Sequence, residues 1–495
     1  MPALVNDELE SIAQAHRRDN PKGADADKIV GWLGAFLSRV MFPGSLAAAA
    51  RRASAEPLWT GRARVYAEST IREAAHRLDA EGAWIRVADA VWSQVTRAAA
   101  KVDEQVLAYT DMFDQPYYTK KRAHAAPIGR LGNRILACAY FGLTTIQVPG
   151  GPTLFAHLSW HKPAAPLRDA LEDLFSDDAR MDWWHRNVRL HIVDRGANGD
   201  PVLQWMWAWE VPYLTIGRES ARLAQLHTPT LTNELGLPIV VRPDLRLDGD
   251  ADDGPWEVIV PADAANPNET RGICFRSAVM FTETELLGLN SLYKSRWPSM
   301  ENELKSAQAL GFGRNRTRRL QLCVSRGTEG ALARLRVREE TQVEKAVELG
   351  KLPPTPSNLG RLIAASRKVF TLREQQASLA TSATLKHARV EGGAERLGKW
   401  LHLLAQNALA LALASSPDEE VRAMTTPMVF ELLLGCSALT VIEAGRLTIW
   451  IDAIDAPDQR RRQAALVDVF NQLALRCRGS VVTIHLRERA DRKVA

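Results

Sequence analysis

Cysteine is scarce and scattered in this chain of 495 residues. No two cysteines form a Cys-x-x-Cys pair, and the five of them lie far apart at Cys138, Cys274, Cys323, Cys436 and Cys477. A disulfide framework needs an even set of cysteines and a structural zinc site needs closely spaced ligands, so the pattern argues against both. Free thiols fit a reducing compartment, and we therefore expect a cytoplasmic protein.

Long hydrophobic runs and a strong excess of one charge are missing as well. Residues 1–20 are polar and acidic, without the apolar core of a signal peptide. The most apolar stretch, 401–414, is shorter than the roughly 20 residues of a membrane-spanning helix and carries two amide side chains. The formal net charge is only +5, so any surface for nucleic acid has to be local. We expect a soluble globular protein with a sizeable core.

The first region, residues 1–100, is predicted to be helical, because Ala, Glu, Arg and Leu dominate it and strand-like runs are absent. Residues 45–78 have the pattern helix, break, helix. Five arginines lie along this pattern: Arg51, Arg52, Arg62, Arg64 and Arg72. The pattern permits a helix-turn-helix that binds DNA. A helical bundle with solvated arginines explains it equally simply, and both interpretations stay open.

The second region, residues 101–350, begins with three apolar, aromatic-rich runs at 106–113, 133–143 and 152–160. Gly and Pro separate these runs, which predicts consecutive strands. A helical pattern follows at 166–187, and then a fourth strand. This β-β-β-α-β order is typical of a ribonuclease H-like mixed sheet flanked by helices, and we predict that α/β fold.

The rest of the chain is predicted to add an insertion and a C-terminal region. Residues 204–210 alternate like a strand, but an α/β unit needs a helix at this point, and we favour a helix. Residues 218–282 are broken by Pro, Gly and Asp and predict a β-rich insertion. Residues 314–349 predict a long charged helix. A proline-rich linker then opens the third region, 351–495, which we predict to be helical and to end in a β-α-β unit.

Three acidic residues stand where these elements would bring them together. Asp111 lies in the first predicted strand, Asp194 ends the fourth, and Glu301 lies on the helix after the insertion. Cleavage of a phosphodiester is assisted by two divalent ions about 3.5–4 Å apart, and Mg²⁺ prefers carboxylate oxygens. We predict a site for two Mg²⁺ or Mn²⁺ ions here, with Glu303 as the alternative if the helix register is shifted. Taken singly, each residue could be an ordinary turn aspartate or a surface glutamate.

The segments around these residues resemble the DDE transposases of bacterial insertion sequences, in particular the subset with a β-rich insertion between the second Asp and the Glu. The segment TDMFDQPYYTKK is similar to the first-Asp motif at Asp111, Pro116, Tyr117, Tyr118, Lys120 and Lys121. The segment LHIVDRGANG is similar to the second-Asp motif at Asp194 and Arg195. The segment YKSRWPSMEN is similar to the Glu motif at Tyr293, Arg296, Trp297 and Glu301. The likeness covers about residues 100 to 490.

The sequence departs from the family pattern at the third motif. Four residues separate Arg296 from Glu301, where the commonest pattern has three, so the turn at Pro298 has to absorb an extra residue. The lysine expected about two helical turns after the Glu is missing. Lys305 lies one turn after Glu301 instead, on the same face of the helix.

The resemblance implies a protein that cleaves transposon ends and joins the freed 3′ hydroxyl to target DNA, working as a homodimer or higher assembly associated with the nucleoid. Asp111, Asp194 and Glu301 would be the catalytic metal ligands, and Trp297 a candidate for base stacking. The residues expected to contact DNA phosphates are Arg195, Arg296, Lys305, Lys120, Lys121, Arg314, Arg316 and Arg318. Alternatives to DNA contact stay open for these residues. Arg296 could form a surface salt bridge, Trp297 could lie in the core, and the basic run of Arg314, Arg316 and Arg318 could simply be solvated. The alternatives for the whole protein are a metal-dependent nuclease that does not join strands and a catalytically silent DNA-binding descendant.

Overall fold

The computed structural model describes residues 2–41, 65–116, 128–131, 134–161, 166–197, 199–226, 229–249, 253–312, 319–323, 326–382, 387–391 and 394–488. The chain divides into two compact units. The first comprises Met1–Gln115, Tyr140–Thr317 and Ala394–Ala495, and the second comprises Pro116–Ala139 and Arg318–Gly393. The three regions 1–100, 101–350 and 351–495 stay a prediction about how the chain divides into domains.

The described part of residues 1–100 is helical, as the sequence predicts. Its helices are α1 (Asn6–Asp19), α2 (Ala26–Val40), α3 (Glu68–Ala80) and α4 (Ala83–Ala99). Apolar residues recur every four positions along α4, at Val87, Val91 and Val95, and all three are buried. Four of the five arginines of the possible helix-turn-helix, Arg51, Arg52, Arg62 and Arg64, lie outside the described residues.

A large mixed sheet forms the centre of the fold and confirms the predicted α/β class. Its strands are β1 (Val106–Pro116), β2 (Ile128–Leu131), β3 (Arg134–Gln147), β4 (Thr153–His161), β5 (Val188–Val193), β6 (Tyr213–Arg222), β7 (Leu231–Thr232), β8 (Pro238–Pro243), β9 (Trp256–Pro261) and β10 (Arg271–Ser277). They follow the order β2-β3-β1-β5-β6-β10-β9-β8-β7, and β4 pairs with β3. The neighbours β1, β5 and β6 are parallel, whereas β10, β9 and β8 continue the sheet antiparallel.

Helices cover this sheet where the sequence predicts them. Between β4 and β5 lie α5 (Leu167–Leu174) and α6 (Asp178–Asn187), and between β5 and β6 lies α7 (Asp200–Ala208). Helix α7 confirms the helical interpretation of residues 204–208. Trp184 of α6 and Leu203 of α7 are fully buried in one core with strand residues such as Val193. Burial of these apolar side chains fixes the helices against the strands.

The second unit contains three strands that the sequence analysis missed, and the first of them is β2. Residues Arg319–Cys323 form β11, which pairs antiparallel with β12 (His387–Glu391). The charged helix is α10 (Arg326–Gly350), so the prediction that it begins near residue 314 is wrong. The partner of β11 lies more than sixty residues further along the chain, and local charge patterning carries no signal for such a pairing. Helix α11 (Pro356–Ser382) follows the linker, with Pro356 as its first residue.

The described part of residues 351–495 ends as predicted. Helix α12 (Glu395–Ala414) leads through the short helices α13 (Glu419–Arg422) and α14 (Thr426–Val429) to a sheet of β13 (Ala438–Glu443), β14 (Arg446–Asp452), β15 (Arg476–Cys477) and β16 (Ser480–Arg487). Strands β14 and β16 are parallel and are joined by α15 (Pro457–Gln472), which confirms the β-α-β unit. Among the helices within the described ranges, none is both long and apolar enough to cross a membrane.

One of the amides in the apolar stretch 401–414 has a structural role. Asn407, on α12, accepts a hydrogen bond from the Phe155 backbone N–H and donates one to the Phe155 carbonyl, both at 2.8 Å. Both groups are buried, and a buried backbone group without a partner is costly. The amide that makes this stretch unsuitable for a membrane therefore joins α12 to strand β4.

Gly142 gives a direct test of how tightly β3 packs. A Cβ at this position would lie 2.4 Å from Cβ of Ala170 and 2.7 Å from Oγ of Ser159. We expect Gly142→Ala to lower the free energy of unfolding by about 1–3 kcal/mol. Helix α5, which carries Ala170, and strand β4, which carries Ser159, must move away from β3 to make room for the added methyl group. Urea unfolding measures this change. Gly288→Ala is the matched control, since a Cβ there meets nothing within 4 Å, and a loss of stability equal to that of Gly142→Ala would contradict the packing.

Candidate active site

Asp111 and Asp194 lie side by side because of the register between two parallel strands. Strand β1 pairs with β5 so that Thr110 is the partner of Val193. Asp111 follows Thr110 on β1, and Asp194 follows Val193 directly after the end of β5. The carboxyl ends of parallel strands meet at one edge of a sheet, where functional residues of α/β proteins are commonly found. The pairing of adjacent strands thus brings together two acidic residues that are far apart in the sequence.

A buried polar network holds the strands beneath the two aspartates. The Thr110 hydroxyl lies 2.8 Å from the Thr144 hydroxyl and 2.8 Å from Nε2 of His191, so it connects β1 to both of its neighbours. All three side chains are buried. Burial lowers the pKa of His191 to about 3, which keeps the imidazole neutral. Sequence reasoning missed these residues, although polar side chains within apolar strands were a visible signal.

Glu301 reaches the aspartates from the segment that follows the β-rich insertion. Helix α8 (Glu283–Lys294) begins with a capping box between Thr282 and Glu285. A π-helical turn, Trp297–Glu301, follows it, and the Asn302 N–H donates to the Trp297 carbonyl five residues earlier. A π-turn accommodates one extra residue within a helix. The extra residue near Pro298 is therefore absorbed locally, and Glu301 stays on the side of Arg296.

Arg296 is the point at which the three carboxylates meet. One guanidinium nitrogen lies 3.3 Å from Asp111 and 2.8 Å from Asp194, and the other lies 3.9 Å from Glu301. Only 6% of Arg296 is exposed. A guanidinium has five N–H donors in one plane, so it can serve several acceptors at once. The simpler interpretation of Arg296 as part of a surface salt bridge is wrong.

The electrostatics of the cluster favour a positive charge between the acids. Burial, and then the neighbouring Asp194, raise the pKa of Asp111 to about 6. Burial opposes the charge on Arg296, but Asp111 and Asp194 outweigh it and hold the pKa of Arg296 above its ordinary value. Carboxylates crowded in a partly buried site resist ionisation unless a cation shares them. In this structure the shared cation is the guanidinium.

The chemistry of these donors fits a divalent metal. Carboxylate oxygens are the ligands that Mg²⁺ and Mn²⁺ prefer, and three acidic side chains around one point leave coordination positions for water and phosphate. Within the described ranges, no three His, Cys, Asp or Glu side chains are drawn close enough to form a metal site by themselves. The three carboxylates are kept apart because the guanidinium of Arg296 lies among them. Asp111, Asp194 and Glu301 are the residues that would hold a metal.

Glu303, the alternative to Glu301, does not join this cluster. It lies on α9 (Asn302–Ala309), forms no ion pair with Arg296, and burial raises its pKa to about 7. Lys305 is 66% exposed and lies 3.9 Å from Glu301, one helical turn away. The ion pairs therefore favour Glu301 as the third acid.

The other residues predicted to contact DNA differ in what the structure shows. Arg195 is exposed in the short turn Arg195–Ala197, directly after Asp194. Trp297 is 53% exposed, so the alternative of a core position for its ring is wrong. Five of the predicted cations lie outside the described residues: Lys120, Lys121, Arg314, Arg316 and Arg318.

A second polar network, also missed, supports the turn that carries Glu301. The Tyr109 hydroxyl donates to Oε1 of Gln147 at 2.8 Å and lies 3.0 Å from the Ser295 hydroxyl. Ser299 donates to the same Gln147 oxygen at 3.0 Å. These bonds join the end of α8 and the π-turn to strands β1 and β3. Nothing in the local sequence pattern indicates this pairing, because its members are far apart in the chain.

A buried ion pair ties the β-rich insertion to the segment that follows Asp194. Arg276 on β10 donates to Asp244 and to Asp200, each at 2.6 Å. Asp200 opens α7, six residues after Asp194, and both Arg276 and Asp244 are buried. The insertion therefore helps to hold the loop on which Asp194 lies.

No protein-family model matches the chain, and no curated protein matches it in a sequence search. A functional assignment therefore depends on the geometry of the cluster and on the motifs of the three segments.

The raised pKa of Asp111 predicts how stability changes with pH. Its folded pKa of about 6 lies above its unfolded value of about 3.9, so the folded protein binds the proton more tightly. The stabilising contribution of protonated Asp111 to folding is complete below pH 4 and is lost as the pH rises through 6. We expect the metal-free protein to lose roughly 1–3 kcal/mol of unfolding free energy from this group between pH 4 and 7. Urea unfolding in a chelating buffer measures it.

The matched variants are Asp111→Asn and the exposed Asp182→Asn. Asp111→Asn removes the titrating group, so it should flatten the pH dependence and raise stability at pH 7. Asp182→Asn should leave the slope unchanged. A slope that is the same in Asp111→Asn and in the unmodified protein would contradict the electrostatics described for the cluster.

Proposed function

We propose that this protein is a DNA transposase of the DDE type, which cleaves transposon ends and joins the freed 3′ hydroxyl to target DNA. The observation that carries the proposal is the meeting of Asp111, Asp194 and Glu301 at the guanidinium of Arg296. Each acid comes from one of the three segments that resemble the family motifs. Three acids chosen at random from distant parts of a chain have no reason to share one buried cation.

A ribonuclease H-like catalytic core is the finer fold that we propose. Strands β1, β3 and β4, then helices α5 and α6, then β5 parallel to β1 follow one another in the predicted β-β-β-α-β order, with the four-residue strand β2 added between β1 and β3. The β-rich segment with β8, β9 and β10 falls between the second Asp and the Glu, as in the family subset. This order supports the proposal independently of the side chains.

The side chains of the site have distinct roles in this proposal. Two bound Mg²⁺ or Mn²⁺ ions would activate the nucleophile and stabilise the leaving oxygen. Asp111, Asp194 and Glu301 would hold them. Arg296 donates its N–H groups to a phosphate oxygen in a planar, charge-assisted contact. Arg195 and Lys305, both exposed at the edge of the site, bind flanking phosphates.

Trp297 completes the proposed contact with DNA. Its ring is exposed next to the residue that binds the acids, and base stacking on an aromatic ring is a general way to hold an unpaired nucleotide. The substrate is double-stranded DNA, at the transposon ends and at the target. We propose that the protein works in the cytoplasm, on the nucleoid.

A strand-transfer assay tests the function. DNA fragments from both flanks of the gene are incubated with the purified protein, a supercoiled target plasmid and Mg²⁺. We expect joined products in which fragment and plasmid are covalently linked. Nicked fragments without joining would instead identify a nuclease, and that result would overturn the strand-transfer step.

A catalytically silent DNA-binding protein is the second candidate, and one observation favours it. Arg296 already forms ion pairs with all three acids, and a silent descendant would retain such an ion-pair cluster for stability. It predicts a mobility shift of the flanking DNA without nicks or joined products, with Mg²⁺ and with Mn²⁺.

A further inference from the structure

The π-turn at Trp297–Glu301 determines which residue faces Arg296. A regular α-helix has about 3.6 residues per turn, so a residue five positions after Arg296 would point about 140° away from it. The residue four positions after it, Met300, would take that place. In the structure the Asn302 N–H instead bonds to the carbonyl five residues earlier, and Glu301 lies 3.9 Å from Arg296. Glu301 therefore belongs to the acidic cluster only while the π-turn persists.

Pro298 weakens the α-helical alternative to this turn without excluding it. Proline has no N–H, so the α-helical hydrogen bond from position 298 to position 294 is missing in either arrangement. The next residue, Ser299, still makes an α-helical bond, in which its N–H donates to the Ser295 carbonyl at 3.2 Å. Both arrangements are thus open to the local sequence, and π-helices are rare. Contacts from outside the turn decide which arrangement is kept.

One such contact is the side chain of Gln147, at the end of β3. Its Oε1 accepts a hydrogen bond from the Ser299 hydroxyl at 3.0 Å and another from the Tyr109 hydroxyl at 2.8 Å. Ser299 and Tyr109 are both buried, so the loss of their shared acceptor would be costly. Tyr109 lies two residues before Asp111 and on the same face of β1. Gln147 therefore ties the π-turn to the strand that carries the first acid.

Lys399 of α12 holds the chain at the far end of α9. Its ammonium group donates to the Phe312 carbonyl and lies 4.3 Å from the centroid of the Phe312 ring and 4.9 Å from that of Phe141. Lys399 is buried, and a cation held by a carbonyl and two ring faces is fixed in place. Relaxation of the π-turn to an α-helix would rotate α9 by about 100° and break this contact.

We propose that Gln147 and Lys399 are positioning residues that maintain the π-turn and thereby keep Glu301 in the acidic cluster. Gln147 holds the turn itself, and Lys399 holds the helix that follows Glu301. Both act through the chain between residues 297 and 312, not as metal ligands. The part of the proposal that concerns metal rests on the proposed function, whereas the part that concerns the turn does not.

Hydrogen exchange in a chelating buffer tests the turn without metal. We expect Gln147→Leu to speed exchange of the Asn302 amide by about 10-fold or more, because the turn opens more often without the shared acceptor. Lys399→Met should speed the same amide. The matched control is Gln14→Leu, at an exposed glutamine of α1, which should leave it unchanged. An Asn302 amide that exchanges at the same rate in Gln147→Leu as in the unmodified protein would overturn the proposal.

The affinity for Mn²⁺ shows whether Gln147 acts through Glu301. Residues behind metal ligands commonly contribute about 10- to 100-fold to metal affinity, and calorimetry should show that loss in Gln147→Leu. Gln147→Glu keeps an acceptor oxygen and should bind Mn²⁺ at least as tightly as the unmodified protein. In a Glu301→Gln background, Gln147→Leu should have no further effect, because the ligand that it positions is already gone. An equal loss in both backgrounds would reveal a general structural role and overturn the positioning role.

Deletion of Pro298 removes the need for the π-turn. Glu301 then follows Arg296 by four positions and faces it in a regular α-helix. Adding Gln147→Leu to this deletion should leave the Mn²⁺ affinity unchanged, and continued dependence on Gln147 would contradict the role of the turn. Circular dichroism shows whether each variant is folded. If the unmodified protein binds no Mn²⁺, the proposed metal site is wrong, and exchange of the Asn302 amide still decides whether the turn is held as described.

Discussion

We expect Asp194→Ala to abolish both the proposed cleavage and the proposed joining of DNA ends, with a loss of about 1,000-fold or more in rate, while binding to the same DNA persists. Asp194 lies 2.8 Å from Arg296, the cation that all three carboxylates share, so its removal would take away one of the proposed ligands of the divalent ion. Electrostatic groups placed at a reacting phosphate commonly contribute 100- to 1,000-fold or more each. Asp111→Ala should have an effect of the same size. Single-turnover assays in Mg²⁺, with binding measured in Ca²⁺, separate catalysis from affinity.

Two glutamates on neighbouring turns supply the matched control. Glu301→Gln should lose activity like the aspartate variants, because Glu301 is within reach of Arg296. Glu303→Gln should retain it, because Glu303 lies outside the cluster. The opposite result, with Glu303 essential and Glu301 dispensable, would show that the helix register differs from the one described. Full joining by Asp194→Ala would exclude Asp194 from the chemistry.

Arg296→Met lowers the free energy of unfolding of the metal-free protein by about 3–5 kcal/mol, the second large effect that we expect. Met keeps much of the length of the side chain but leaves three partly buried carboxylates without their cation, and removal of one partner from a buried ion pair has this cost. Mg²⁺ or Mn²⁺ should then restore stability, because a divalent ion replaces the missing charge. Urea unfolding with a chelator and with added metal measures both effects.

The unmodified protein should gain less stability from metal than Arg296→Met, since Arg296 already serves the acids. Arg296→Lys should fall between the two, because a single ammonium group cannot serve three carboxylates as a planar guanidinium does. Equal stability of Arg296→Met and the unmodified protein, without any response to metal, would contradict the shared cation.

The sequence was sufficient to predict those parts of the site that depend on local pattern. Apolar runs that lead to Asp111 and Asp194 predict two strands, and neighbouring strands of an α/β sheet place such residues together. The helix over residues 204–208 was predictable because β5 and β6 are parallel and need a crossover connection. Glu301 was found through the spacing of the Tyr, Arg-Trp and Glu motif.

The features of the fold and of the site that could not be predicted depend on contacts between residues that are far apart in the sequence. The pairing of β11 with β12, the bonds of Tyr109 with Ser295 and the contact of Asn407 with Phe155 join parts of the chain that no local window connects. For the π-turn at Trp297–Glu301, the sequence predicted only that the chain near Pro298 must absorb one extra residue. Its geometry follows from tertiary packing of both flanking helices, which the composition of five residues does not encode.

The position of a bound metal ion tests the central feature of the site most directly. Crystals of the protein soaked in Mn²⁺ give anomalous scattering that locates the ion without any assumption about activity. We expect Mn²⁺ within about 2.0–2.3 Å of carboxylate oxygens of Asp111 and Asp194, with Glu301 completing the site and Arg296 displaced. Anomalous density elsewhere in the molecule, with Arg296 still held by the three acids, would contradict a metal-dependent site.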